Sequence, residues 1–139
     1  MLVLDTNHLR ELAMGSPMGL RLEQRLAASD DQAVTTIASA EEVLRGRLAK
    51  LSAAKDVADQ VLASERLGAS IQFLAGFALL PWDLEATERF RLLRQAGVRI
   101  GTLDLKIACI VLEHDSTLLT RNTADFAKIP GLRFENWLD

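Results

Sequence analysis

One cysteine among 139 residues rules out an internal disulfide, and Cys109 sits in Ile107-Ala108-Cys109-Ile110-Val111-Leu112, where it reads as a small buried hydrophobe. No apolar run approaches the length of a membrane span, and no basic start, apolar core and small-residue cleavage site open the chain. A cytoplasmic protein that does not enter a membrane is the expectation. No Cys-His pair, Gly-rich phosphate loop or Gly-x-Ser-x-Gly elbow occurs, which leaves nucleophilic catalysis by Ser or Cys without support. The two histidines, His8 and His114, form no cluster in sequence, and His114 falls at a helix end where a cation is favoured without any ligand role. Repeats, linkers and low-complexity tracts are missing too. With 49% hydrophobic and 25% charged residues, the composition is that of one globular domain over 1–139.

What is present begins at once. Leu2-Val3-Leu4 is a short apolar run without alternation, as a strand buried on both faces would be, and it ends in Asp5-Thr6-Asn7. Ligands of open parallel sheets bind beyond the carboxyl ends of strands, which makes Asp5 a site candidate. Asp5 or Thr6 could equally cap the helix that carries Leu9 and Leu12.

Further along, Gly15-Ser16-Pro17 opens a second helix that ends near Ala28, and Ala33 to Ile37 reads as the second strand. A helix follows from Ser39 to about Lys50, with a new start offered at Leu51-Ser52. The segment from Ala53 to Ala78 is one long helix or two joined ones, with Gly68 and Gly76 as weak points, and it makes a helical hairpin with its predecessor. Leu79-Leu80 is a short strand closed by Pro81, Asp83 caps a helix stopping at Gly97, and another helix runs from Leu103 to about His114. Thr117 to Thr120 is strand, Asn122 to Phe126 a helical turn, and Leu132 to Phe134 a last strand. Strands alternating with helices predict an α/β fold, a parallel sheet of four to five strands with helices on both faces. That order places Asp5, Glu42, Asp104, and Asn122 with Asp125, at neighbouring strand ends and helix starts.

Each of these residues has an innocent explanation. Ser39-x-x-Glu42 fits a capping box, Asp104 lies in a first helical turn where the macrodipole favours acids, and Asp125 could belong to an Asx turn or cap. Together they read differently, because converging carboxylates cannot all stay ionised without a cation. Oxygen-only donors point to Mg²⁺ or Mn²⁺. The net charge of −3 equals the combined charge of Asp5, Glu42 and Asp104, and twelve of the sixteen basic residues are Arg, so a nucleic-acid substrate stays open. Lys106 and Arg121 lie close to two of the acids and could meet a phosphate.

With these residues in view, the chain resembles the PIN-domain ribonucleases, in particular the VapC-like toxins of toxin–antitoxin pairs. The resemblance rests on Leu2 to Asn7, on Thr36 through Glu42-Val43-Leu44-Arg45-Gly46, on Ile100 to Ala108, and on Leu118 to Asn122 leading to Asp125-Phe126 and Ile129-Pro130-Gly131-Leu132. It implies that Asp5, Glu42 and Asp104 hold the metal, that Glu41 faces away, and that Thr6, Asn7 and Thr120 support them. Where many relatives place a fourth acid this chain has Asn122, with Asp125 three residues on, so either could complete the site. The implied activity is metal-dependent endoribonuclease cleavage, with one or two Mg²⁺ or Mn²⁺ ions activating water for in-line attack on a phosphodiester. Implied partners are an RNA substrate, a second copy in a homodimer, and a cognate antitoxin that wraps the chain. The hairpin from Ser39 to Ala78 would be clamp and dimer surface, and Arg45, Arg47, Lys50 and Arg121 would bear on substrate choice.

Three rivals remain. An aspartate-nucleophile phosphatase wants a second Asp at position 7, where Asn7 stands. A catalytically weak or inactive module binding RNA or protein is made thinkable by Asn122. A DNA-directed nuclease would use the same acids, since nothing in the sequence reads a 2′-hydroxyl.

Overall fold

The computed structural model describes all 139 residues. Its centre is β1 (Leu2–Leu4), and its three residues are buried because both faces of the strand are covered. Val3 joins a core with Val34, Leu118, Ile107, Ile110 and Phe126, whereas Leu2 and Leu4 join one with Leu119, Leu9, Leu22 and Leu74. Alternate side chains of one strand thus feed two separate cores, which is why the run shows no polar alternation. Five parallel strands stand in the order β3-β2-β1-β4-β5, where β2 is Ala33–Thr36, β3 Leu79–Leu80, β4 Thr117–Leu119 and β5 Arg133–Glu135. In register Leu4 lies beside Thr35 and Leu119, so the chain leaves β1, β2 and β4 at one edge.

Seven helices complete the chain: α1 (Thr6–Met14), α2 (Pro17–Ala28), α3 (Ile37–Ala53), α4 (Val57–Ala75), α5 (Leu84–Gln95), α6 (Thr102–Glu113) and the single turn α7 (Thr123–Phe126). None is long and apolar enough to cross a membrane. Gly15 closes α1 at φ 62°, a left-handed conformation that suits glycine, and Ser16 then caps α2 with Pro17 at its first position. The two helices pack so closely that a Cβ on Gly19 would lie 1.9 Å from the Glu11 carbonyl oxygen. Gly19→Ala must push α2 off α1, an overpacking cost of about 2–3 kcal/mol. A drop in melting temperature checks this, and an unchanged melt would contradict the packing.

Within the hairpin the expected breaks move. The start offered at Leu51-Ser52 is not used: α3 continues to Ala53, and α4 begins after Asp56, whose carboxylate accepts from the Asp59 amide at 2.8 Å. Gly68 does not divide α4, which runs on to Gly76 and forms the expected hairpin with α3. A helical glycine costs only ~1 kcal/mol against alanine, too little to break a helix packed against a neighbour.

Candidate active site

The site is assembled where β1 and β4 end. Asp5, the residue before α1, is 6% exposed, and both of its carboxylate oxygens already accept hydrogen bonds. One comes from the Thr6 amide at 2.7 Å and the other from the Thr120 hydroxyl at 2.8 Å. A capping side chain ordinarily serves the second or third helical amide, so Asp5 occupies the cap position without doing the usual capping work. Burial raises its pKa, opposed by the Thr120 and Thr6 hydrogen bonds and reinforced by the charge of Glu42.

Glu42 is not the capping-box partner its spacing suggested. The helix starts three residues earlier, with Thr36 as its cap accepting from the Ser39 amide at 3.0 Å. That places Ser39 inside the first turn and frees the Glu42 side chain, whose Oε2 accepts from the Thr6 hydroxyl at 2.8 Å. Thr6 and Thr120 thus each hydrogen-bond to an acid, and Thr6 links Asp5 to Glu42, 36 residues further along the chain from Thr6. Asn7 is half-buried on α1 and takes part in none of these bonds.

Asp104 enters from the first turn of α6, where Gly101 supplies no side-chain cap. Its Oδ2 accepts from the Asn122 amide nitrogen at 3.0 Å, and the same nitrogen donates to Asp125 Oδ2 at 3.0 Å. The Asn122 backbone amide in turn donates to the Thr120 hydroxyl. Desolvation, followed by the charge of Asp5, pushes the Asp104 pKa up to about 6; Glu42 and Asp125 add to the rise and the Asn122 bond opposes it. Asp125 goes the other way, held below its ordinary value by Asn122 and by Lys128, 3.4 Å from its Oδ1.

The donors facing one another are oxygens, the set that suits a hard divalent cation. They stand open, however, since no three His, Cys, Asp or Glu side chains converge into a ready-made cage. The Asn122 amide nitrogen lies between two of the acids, donating to both.

A family model described as PIN domain matches residues 2–132. The chain belongs to the PIN-domain family. Among curated relatives, Ribonuclease VapC2 of Rickettsia felis is 35% identical over 69 residues, a match covering 47% of this chain and 52% of the relative. In that alignment the chain spans about half the relative's length. Of similar solved structures, VapBC-1 from nontypeable Haemophilus influenzae has a TM-score of 0.76 at 21% identity, covering 99% of this chain and 98% of the other. VapBC2 from Rickettsia felis, bound to a DNA fragment from its promoter, gives 0.72 at 24% with 98% of both chains covered. A toxin–antitoxin complex from Klebsiella pneumoniae gives 0.69 at 26%, with 95% of both covered. The expected PIN-like parallel sheet, flanked by helices and carrying a helical hairpin, is the fold observed.

The cations of this PIN domain sit differently from the acids. Lys106, two residues past Asp104, points away from it because helical positions two apart do not share a face, and its ammonium lies 5.2 Å from the Trp82 ring. Arg121 is paired with Asp139 at 3.0 Å, and Arg45 with Glu41, which is exposed, as is Glu42. A groove of about 720 Å³ between α1, α3 and α4 is lined by Glu42 together with Arg10, Arg47, Lys50 and Arg66. Arg10 and Arg66 were not singled out in the sequence. They come from helices far apart in the chain, and only the tertiary packing of α1 and α4 against α3 reveals them.

Proposed function

We propose that this PIN domain is a metal-dependent endoribonuclease that hydrolyses RNA phosphodiester bonds and acts as the toxin of a toxin–antitoxin pair. The observation that carries the reading is the linked set of Asp5, Glu42 and Asp104, with Thr6 bridging Asp5 to Glu42 and Thr120 holding Asp5. Asp5, Glu42 and Asp104 would hold Mg²⁺ or Mn²⁺. When bound, such an ion supplies charge for the phosphoryl oxygens and lowers the pKa of water. The chain's own contribution is placement. Thr120 and the Thr6 amide fix both oxygens of Asp5, and the Thr6 hydroxyl orients Glu42, so the carboxylates do not have to be ordered when substrate arrives.

The Asp104 carboxyl, with its raised pKa, gives up its proton near neutrality and so meets a cation in the ionised form. The cationic rim of Arg10, Arg47, Lys50 and Arg66 beside Glu42 suits a phosphate backbone and would track RNA from the groove to the acids. Likeness to the VapBC and toxin–antitoxin structures supports an antitoxin partner; a cytoplasmic setting, a homodimer and an antitoxin embracing the α3–α4 hairpin complete the proposal.

The test is RNA cleavage by the purified protein with Mg²⁺ or Mn²⁺ against EDTA. Cleavage is expected with either ion and none in the chelator. Activity that persists in EDTA would sink the mechanism, and RNA binding without metal-dependent cleavage would favour an inactive binding module. Cutting confined to DNA would replace the substrate.

A further inference from the structure

The groove beside Glu42 continues toward the closed end of the α3–α4 hairpin. There it meets a second cavity of about 250 Å³, and three cations, Arg47, Lys50 and Arg66, line both. None of the three belongs to an ion pair, and Asp59, the one acid lining the smaller cavity, is paired with none of them. Arg47 and Lys50 stand three residues apart on α3, where like charges repel unless an anion lies between them. Arg47 is also preset. Its Nε donates at 3.0 Å to Oγ of Ser70, which is 9% exposed and lies on the facing helix, so both terminal nitrogens of the fork are left free. Such a fork matches two oxygens of one phosphate.

We propose that Arg47, Lys50 and Arg66 form an anchoring site for a phosphate of single-stranded RNA, set off from the acids along α3, and that Ser70 positions Arg47 for it. The proposal rests on the nuclease reading above and says where the substrate of that site is gripped. Lys50 lies eight residues beyond Glu42 on α3, about 12 Å along the helix axis, so the RNA has to extend past the cut on that side to be held. Between them Gly46 lines the groove, and a Cβ there would meet nothing within 4 Å. Nothing in the chain's own packing asks for glycine at a position where a helix interior disfavours it, and its bare backbone leaves the floor open to a ligand. The space is that of a small-ligand pocket, which admits one strand and not a duplex. An acidic helix could meet the same cations, but the free fork of Arg47 and the continuity with Glu42 favour a phosphate strand.

Binding is measured in EDTA, so that neither a metal nor turnover enters. Wild type is titrated into a fluorescein-labelled single-stranded RNA of roughly ten nucleotides. Anisotropy is followed between about 50 and 200 mM salt, and circular dichroism melts confirm that each variant is folded. Arg47→Gln, Lys50→Gln and Arg66→Gln are each expected to weaken binding about 10-fold, the low end for a charge-assisted bond, and to flatten the salt slope by about 0.7. Arg21→Gln makes the same change of charge on α2, outside the groove, and is expected to alter neither. Ser70→Ala is expected to weaken binding by itself and to add nothing to Arg47→Gln, because it acts only through that guanidinium. Gly46→Leu fills the floor with the charge unaltered, and should weaken binding while melting no lower than wild type.

An unchanged salt slope in the three cation variants would overturn the proposal, as would an equal loss in Arg21→Gln. A Ser70→Ala effect that adds in full to that of Arg47→Gln would strip Ser70 of its role. If wild type binds an acidic helical peptide of Glu and Leu, and the cation variants lose that peptide while keeping their RNA affinity, the groove belongs to a protein segment and the proposal fails. RNA cleavage with Mg²⁺ or Mn²⁺, run alongside, separates the two levels. A protein that cleaves, and whose cation variants keep the wild-type slope, sinks the anchor alone. Slopes that flatten as expected in a protein that cuts no RNA leave the anchor standing and sink the nuclease reading.

Discussion

Replacing Asp5 with asparagine is expected to bring RNA cleavage down to the level seen in EDTA, a loss of at least ~100-fold, while leaving the protein folded. Asparagine retains a carbonyl oxygen for the Thr6 amide, and the Thr120 hydroxyl can turn to accept from the new amide nitrogen, so neither contact to position 5 is lost outright. What disappears is the charge. Since burial already raises the Asp5 pKa, a neutral group is tolerated there, and thermal stability in EDTA should fall little if at all. Asp5→Ala leaves both donors without partners, at about 1–3 kcal/mol for each buried group left unsatisfied. The two variants therefore separate the charge from the scaffold. Equal loss of cleavage with unequal melting temperatures fits a ligand role, whereas cleavage retained by Asp5→Asn would refute it.

The residues that could be read from sequence are those whose roles depend on local order. Leu2 to Leu4 had to be a central strand because nothing polar interrupts it, and Asp5, one residue past its end, had to emerge at the sheet edge. Glu42 was harder. Thr36 and Ser39 are both good caps three residues apart, and hydropathy cannot choose between them, so the helix start and the Glu42 partner were settled only by the approach of Thr6. The cations were least legible, because the partner of Arg121 lies 18 residues on at Asp139, and that of Lys106 is the ring of Trp82 across two elements. Proximity in sequence to an acid said nothing of where these long side chains find their own contacts. The amide bridge of Asn122 was equally hidden, since the departure from an acid is visible in sequence but its two acceptors come from α6 and α7.

Asp104→Asn should abolish cleavage and yet stabilise the metal-free protein at neutral pH, two effects of opposite sign from one atom exchange. The Asp104 carboxyl has its pKa raised from 3.8 to about 6 in the folded chain, chiefly by desolvation and then by Asp5. An acid with a raised folded pKa binds its proton more tightly when folded, so its share of stability is complete below the unfolded value near 3.8. That share is lost as pH rises through about 6, and above it the full penalty persists. The shift corresponds to at most ~3 kcal/mol, and because the side chain is half-buried, solvent screening leaves on the order of 1 kcal/mol. Asparagine removes the ionisation and still offers an oxygen to the Asn122 amide. In EDTA the variant should therefore melt about 4 °C above wild type at pH 7.5. The gap should narrow through pH 6 and close near pH 4. Adding Mg²⁺ should raise wild type and not the variant, because the cation supplies the charge that Asp104 otherwise lacks. Melting curves at these pH values with and without Mg²⁺ give the answer: a wild type as stable as Asp104→Asn in EDTA at pH 7.5 would mean that the Asp104 carboxylate is neither desolvated nor crowded by Asp5, and the reason for a cation at this site would be gone.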